Sequence, residues 1–119
     1  MKTHQNELLV YYDPKSTVAK KVLAYAKSVS THVKEVEYHK NPFTPTLMRS
    51  ILKSLNMEAK ELLNKADPYY QANIRGRDFD AEGWLNILIK NPDLIKAPIA
   101  VHGQKVVLCT NAMDVYRLQ

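Results

Sequence analysis

The chain has 119 residues, 45% of them hydrophobic and 24% charged, with a formal net charge of +5 and one cysteine, Cys109. That length and composition suit a single domain over 1–119 with its own core, and exclude disordered, collagen-like and disulfide-stapled classes. One cysteine excludes an internal disulfide and a CxxC pair, and with them two-cysteine redox cycling within the chain.

No apolar run is long enough to span a bilayer, and Met1 is followed by polar residues with no secretory apolar core. A cytoplasmic protein without membrane partners is the expectation. The lysines are scattered among acids, and no basic run is interleaved with aromatics. The pattern is that of a solvated surface, not of direct nucleic-acid binding.

The first element is the most informative. Residues 7–12 form a short continuous apolar run, which predicts a buried strand. Asp13-Pro14 stops it. Ser16-Thr17 then opens a helix to about residue 29, with Val18, Val22, Ala26 and Val29 recurring every three or four positions. A strand, a tight turn and a helix N-terminus make the place where a redox or anion-binding fold sets its reactive group. Here that place holds Ser16 and no thiol. Val33–Tyr38 is β-branched and mixed with Glu and Lys, a more exposed strand that completes a β-α-β unit with parallel strands.

Asn41-Pro42-Phe43-Thr44-Pro45 breaks the chain. Thr44 with Pro45 behind it starts a helix whose Leu47, Ile51, Leu52 and Leu55 share a face. Asn56 is read as the start of a second short helix through Ala59, Leu62 and Leu63, which Asp67-Pro68 ends. Asp80 caps a longer helix with Leu85, Leu88 and Ile89 inside and Trp84 beside them, and Asn91-Pro92 terminates it. Ile99–Val101 and Lys105–Leu108 follow as strands joined by His102-Gly103-Gln104, an antiparallel hairpin. Asn111 caps a last helix carrying Met113, Val115, Tyr116 and Leu118. The order predicts an α/β, thioredoxin-like fold: a four-stranded mixed sheet flanked by helices, with a helical insertion at about 44–90.

Asn91-Pro92-Asp93-Leu94-Ile95-Lys96-Ala97-Pro98-Ile99-Ala100-Val101, then Gly103 and Lys105–Asn111, resembles the C-terminal signature of the ArsC/Spx family. That family comprises glutaredoxin-coupled arsenate reductases and Spx-type transcription regulators. Val10-Tyr11-Tyr12-Asp13-Pro14 is similar to the family's strand and turn before its cysteine. The resemblance covers nearly the whole chain in element order.

It implies the following correspondences. The family's nucleophilic cysteine falls on Ser16, and the basic residue one helical turn later on Lys20. The arginine after the Leu-Leu pair falls near Asn64, with Lys65 its only basic neighbour. The arginine of the Arg-Pro pair falls on Ala97, and a basic residue before the last helix on Thr110. The thiol and most of the anion clamp are therefore absent.

Arsenate reduction needs a thiolate that attacks arsenic and is resolved by glutathione, and serine can do neither. Ser16 instead suits an N-cap. The helix N-terminus keeps its free N–H groups, so Pro14, Lys15, Ser16, Thr17 and Lys20 with Ala97 and Pro98 form a candidate site for a small anion or thiol ligand. Pro98 is expected to be cis, as in thioredoxin-like folds, where it faces the first helix; the alternative is an ordinary strand-initiating proline. Cys109 reads as a small buried hydrophobe, or as a monothiol if exposed near Ser16. Arg75-Gly76-Arg77 is a basic turn that could replace the clamp or form a solvated loop, with Tyr69 and Tyr70 just before it.

His4, His32, His39 and His102 show no metal-ligand spacing, and there is no Gly-rich phosphate loop. No cofactor is expected. Two functions compete. One is a catalytically degenerate ArsC/Spx-like protein binding a partner or small ligand, with the RNA polymerase alpha subunit implied by the Spx resemblance alone. The other is a divergent arsenate reductase or glutaredoxin-like oxidoreductase using Cys109, for which glutathione would serve as cofactor, or a transferase using the helix N-terminal pocket at Ser16.

Overall fold

The computed structural model describes residues 7–119, so His4 and the residues around it lie outside the described part. The described chain forms two compact units. One consists of the chain up to Asn41 together with Ala97–Gln119, and the other of Pro42–Lys96.

The first unit is built on a four-stranded sheet. β1 (Glu7–Tyr12) leads through α1 (Thr17–Val29) to β2 (His32–Glu37), and β3 (Ile99–His102) and β4 (Lys105–Leu108) close the sheet in the order β2-β1-β3-β4. β1 runs parallel to β2 and antiparallel to β3, and β3 is antiparallel to β4. The apolar run of β1 is explained by its central place: Leu8, Val10 and Tyr11 are all buried. β2 is an edge strand, and its Lys34 and Glu35 are exposed, as a sheet edge requires. It begins and ends one residue earlier than the β-branched pattern indicates.

The alternation of a strand puts Leu8 and Val10 on one face of the sheet. With Ala100 and Val107 they pack against Val22 and Ala26 of α1 and against Ala112, Val115 and Leu118 of the C-terminal helix. That helix, Ala112–Leu118, is a 3-10 helix. Asn111 accepts the Met113 N–H at 3.0 Å while Asp114 accepts the Asn111 N–H at 3.0 Å. Met113 on this helix is 64% exposed, because the tighter 3-10 period brings Ala112, Val115 and Leu118 onto one line. The hairpin turn is shorter than read: His102 still pairs with Lys105. Gly103 takes φ 65°, a region where an L side chain would be strained.

The second unit is helical: α2 (Pro45–Leu55), a 3-10 turn (Ala59–Leu62), α3 (Pro68–Asn73), α4 (Ala81–Lys90) and a second 3-10 turn (Pro92–Leu94). Thr44 caps α2 by accepting the Leu47 N–H at 3.1 Å, and Asp80 caps α4 by accepting the Gly83 N–H at 2.7 Å. Two readings of the sequence are corrected here. Asn56 does not start a helix; it ends α2 in the left-handed conformation at φ 55°, and Glu58 with Glu61 caps the 3-10 turn that follows. Asn tolerates that conformation where most residues do not.

Asp67-Pro68 likewise does not only end a segment. Asp67 accepts the Tyr69 N–H at 2.8 Å and Pro68 occupies the first turn of α3, a helix absent from the sequence reading. Tyr70 is buried within α3, whereas Tyr69 is 51% exposed. In α4, Trp84 is inside with Leu85 and Leu88, and Ile89 is only half-buried. Leu63, just after the first 3-10 turn, and Ile95, just after the second, form an antiparallel bridge. The Asn64 N–H donates to the Leu94 carbonyl at 2.7 Å, and the Lys96 N–H to that of Leu62 at 2.8 Å.

Candidate functional site

The β1–α1 turn is shaped by Asp13. Its carboxylate accepts the Lys15 N–H at 2.9 Å and its carbonyl accepts the Ser16 N–H at 3.0 Å. An Asp followed by Pro, three residues ahead of the N-cap, is the sequence signal for this turn, and Asp13 is the residue that shapes it. Ser16 stands at the N-cap in extended backbone (φ −80°, ψ 126°), and its Oγ accepts the Ala19 N–H at 3.2 Å. No acidic residue lies in the first turn of α1. The N-terminal N–H groups of a helix have no partners within it, and their dipole favours an anion. Pro14, Lys15, Thr17 and Lys20 are exposed around this turn.

Removing the cap has a simple expected result. Ser16→Ala should lower unfolding stability by about 1 kcal/mol, and Ser16→Gly by a few tenths, measured by urea denaturation.

The β1–β3 register pairs Tyr11 with Ile99, so the segment before Ile99 meets the sheet at the C-terminal end of β1. That segment contains the cis Ala97-Pro98 bond, and Pro98 is buried. β4 pairs Leu108 with Ile99, and the Cys109 N–H donates to the Pro98 carbonyl at 2.8 Å. The turn at Ser16, cis-Pro98 and Cys109 therefore leave the sheet at the same end. Cys109 is fully buried, its Sγ 3.9 Å from the Val107 carbonyl. Burial, with a smaller contribution from the Asp114 carboxylate and a small opposing one from Arg117, pushes its thiol pKa up to about 12. The Thr110 hydroxyl donates to Asp114 at 3.2 Å beside the cap of the last helix.

The remaining candidates belong to the helical unit. Asn64 is exposed and its Oδ1 accepts the Ala66 N–H at 3.2 Å, while the Lys65 carbonyl accepts from the Gln71 side-chain amide. Arg75 donates to Gln71 Oε1 at 3.1 Å. Arg77 lies over the Phe79 ring with its guanidinium 5.1 Å from the ring centroid. The turn between them places Gly76 at φ 81°.

The family model of the ArsC family matches residues 11–118. The chain belongs to the ArsC family. Among solved structures, this ArsC-family chain is similar to a Yersinia pestis protein assigned provisionally as an arsenate reductase, with TM-score 0.86 and 21% identity over 92% of this chain and 98% of that one. It is also similar to the arsenate reductase from Vibrio cholerae, with TM-score 0.86 and 14% identity over 98% of this chain and all of the other (100%). A third is described as a possible arsenate reductase from Streptococcus mutans, with TM-score 0.69 and 24% identity over 84% and 87% of the two chains. No curated protein matches the chain. At these identities the likeness establishes the thioredoxin-like fold. Among the described residues, no helix is long and apolar enough to cross a membrane.

Proposed function

We propose that this ArsC-family protein is a binding module that performs no thiol redox turnover. One observation carries the reading: its single thiol, Cys109, is fully buried and protonated well above neutral pH, while Ser16 occupies the helix cap where the family resemblance sets the nucleophile. A buried thiol with a raised pKa supplies almost no thiolate for attack on arsenic or a disulfide. Ser16 spends its oxygen on the Ala19 N–H. The cytoplasm suits such a chain, since a lone thiol stays reduced there.

The ligand in this reading is a small anion or thiol compound at the α1 N-terminus, or a protein partner. The Spx resemblance makes the RNA polymerase alpha subunit the first protein to try in a pull-down. The absence of an acid from the first turn of α1 and the nearby Lys15 and Lys20 favour the anion. Amide shifts of Ser16, Thr17, Val18 and Ala19 on titration with sulfate, arsenate or glutathione test that part, and unmoved resonances would remove it.

The redox part is tested by a glutathione-coupled arsenate reductase assay on three proteins. The wild type and Cys109→Ser should both be inactive. Ser16→Cys should acquire a thiol that glutathione disulfide modifies readily, because a helix N-terminus lowers a thiol pKa. Wild-type activity abolished by Cys109→Ser would overturn the proposal and establish Cys109 as a nucleophile.

A further inference from the structure

The outer surface of the sheet unit, where α1 packs against the C-terminal helix, joins an apolar strip to a cationic face. Met113 is one of two large hydrophobic side chains that stand exposed among the described residues. Three residues per 3-10 turn set it in line with Tyr116. Tyr116 in turn stacks on Tyr25 of α1, with ring centroids 5.5 Å apart, and both rings are half-buried. The Ser28 hydroxyl, 3.5 Å from the Tyr116 hydroxyl, sits beside the stack. Met113, Tyr116 and Tyr25 thus form a strip that runs from one helix onto the other.

Cations flank it on both sides. The exposed residues of α1 are Thr17, Lys20, Lys21, Ala24, Lys27 and Ser28: three lysines and no acid. Lys21 lies one helical turn from Tyr25, on the same side of α1. Arg117 is exposed a third of a turn round from Tyr116. Among the described residues no carboxylate reaches ion-pair distance of any of these four cations. Asp114, the acid on the C-terminal helix, accepts the Asn111 N–H and the Thr110 hydroxyl. α1 packs beside β2 and the C-terminal helix over β3 and β4, so Glu35 and Glu37 of β2 lie across α1 from the strip, and Glu37 is paired with Lys40 at 3.3 Å.

We infer that this surface docks an acidic amphipathic helix of a protein partner, its apolar side on Met113, Tyr116 and Tyr25 and its carboxylates toward Lys21 and Arg117. Charge complementarity selects the occupant. A second copy of the chain would bring the same cations to the same face. A nucleic acid would find the two rings stacked on each other instead of free to take bases, and a membrane would find one thioether to insert. The surface lies wholly within the sheet unit. It gives the binding reading a kind of partner without resting on the absence of redox turnover, which the reductase assay decides separately.

The test uses a synthetic helical peptide with Leu along one face and Glu beside it, and a matched peptide with Lys in place of Glu. Each is titrated into isotope-labelled protein and followed by amide and methionine-methyl shifts. The acidic peptide should shift Lys21, Tyr25, Met113 and Tyr116 to saturation and bind less tightly as salt is added, and the basic one should leave them unmoved. Lys21→Gln with Arg117→Gln should weaken the acidic peptide about fivefold, and Met113→Ala by a similar factor, with unchanged circular dichroism spectra because all three side chains are exposed. Absent or non-saturating shifts, equal binding of the basic peptide, or undiminished binding by these variants would overturn the inference. So would larger shifts of the same residues with phosphatidylglycerol vesicles or single-stranded DNA.

Discussion

At pH 8 the Cys109 thiol of the folded protein should react with iodoacetamide about a thousandfold more slowly than the same thiol in the urea-unfolded chain. The thiolate is the reacting species. Moving the pKa from 9.0 to about 12 removes three decades of it before access is considered. Complete burial of Cys109 slows the reaction further, so the native rate should follow transient opening of the sheet unit. Mass spectrometry of the single alkylated cysteine gives both rates. A native rate within tenfold of the unfolded one would mean an accessible thiol, and would return the reductase reading.

The same shift has a sign in stability. The folded thiol holds its proton to a higher pH than the unfolded one, so its contribution is complete below pH 9 and is lost as pH rises from 9 to about 12. Its full extent is on the order of 4 kcal/mol. Tyr11, also raised by burial, acts in the same direction above pH 10. Unfolding free energy of the wild type should therefore fall more steeply across this window than that of Cys109→Ala, the difference isolating the thiol.

The second large effect is on the core. Leu8→Ala should destabilise the protein by about 2–5 kcal/mol in urea unfolding. Leu8 is completely buried on the central strand β1, and its face packs against α1 and the C-terminal helix, so truncation leaves a cavity that two helices and a sheet cannot readily close. Domain stabilities are about 5–15 kcal/mol, so the loss is a large share of the total. Met113→Ala, 64% exposed on the same C-terminal helix, should change stability by no more than about 0.5 kcal/mol.

What was legible in the chain follows from element length. β1 is a continuous apolar run and α1 is long enough to show a period of 3.6, and caps at Ser16, Thr44, Asp80 and Asn111 are local events within three residues of sequence. The stretch from Asn56 to Asn73 was not legible. Its elements have four and six residues, too short for a period, and Asn56 and Asp67-Pro68 belong to residue types that both stop and start helices.

At the candidate site, the sequence alone determined that Ser16 suits a helix cap, because a cap is made with a backbone N–H three residues on. It also determined that no second cysteine exists to cycle with Cys109. The tertiary structure decided the state of Cys109 and the place of Pro98. Those depend on strand register: pairing Leu108 with Ile99, and Ile99 with Tyr11, brings residues about 90 positions apart to one end of one sheet and closes Cys109 off from water. Register is set by which faces can be buried together, a property of several strands at once that no single segment carries.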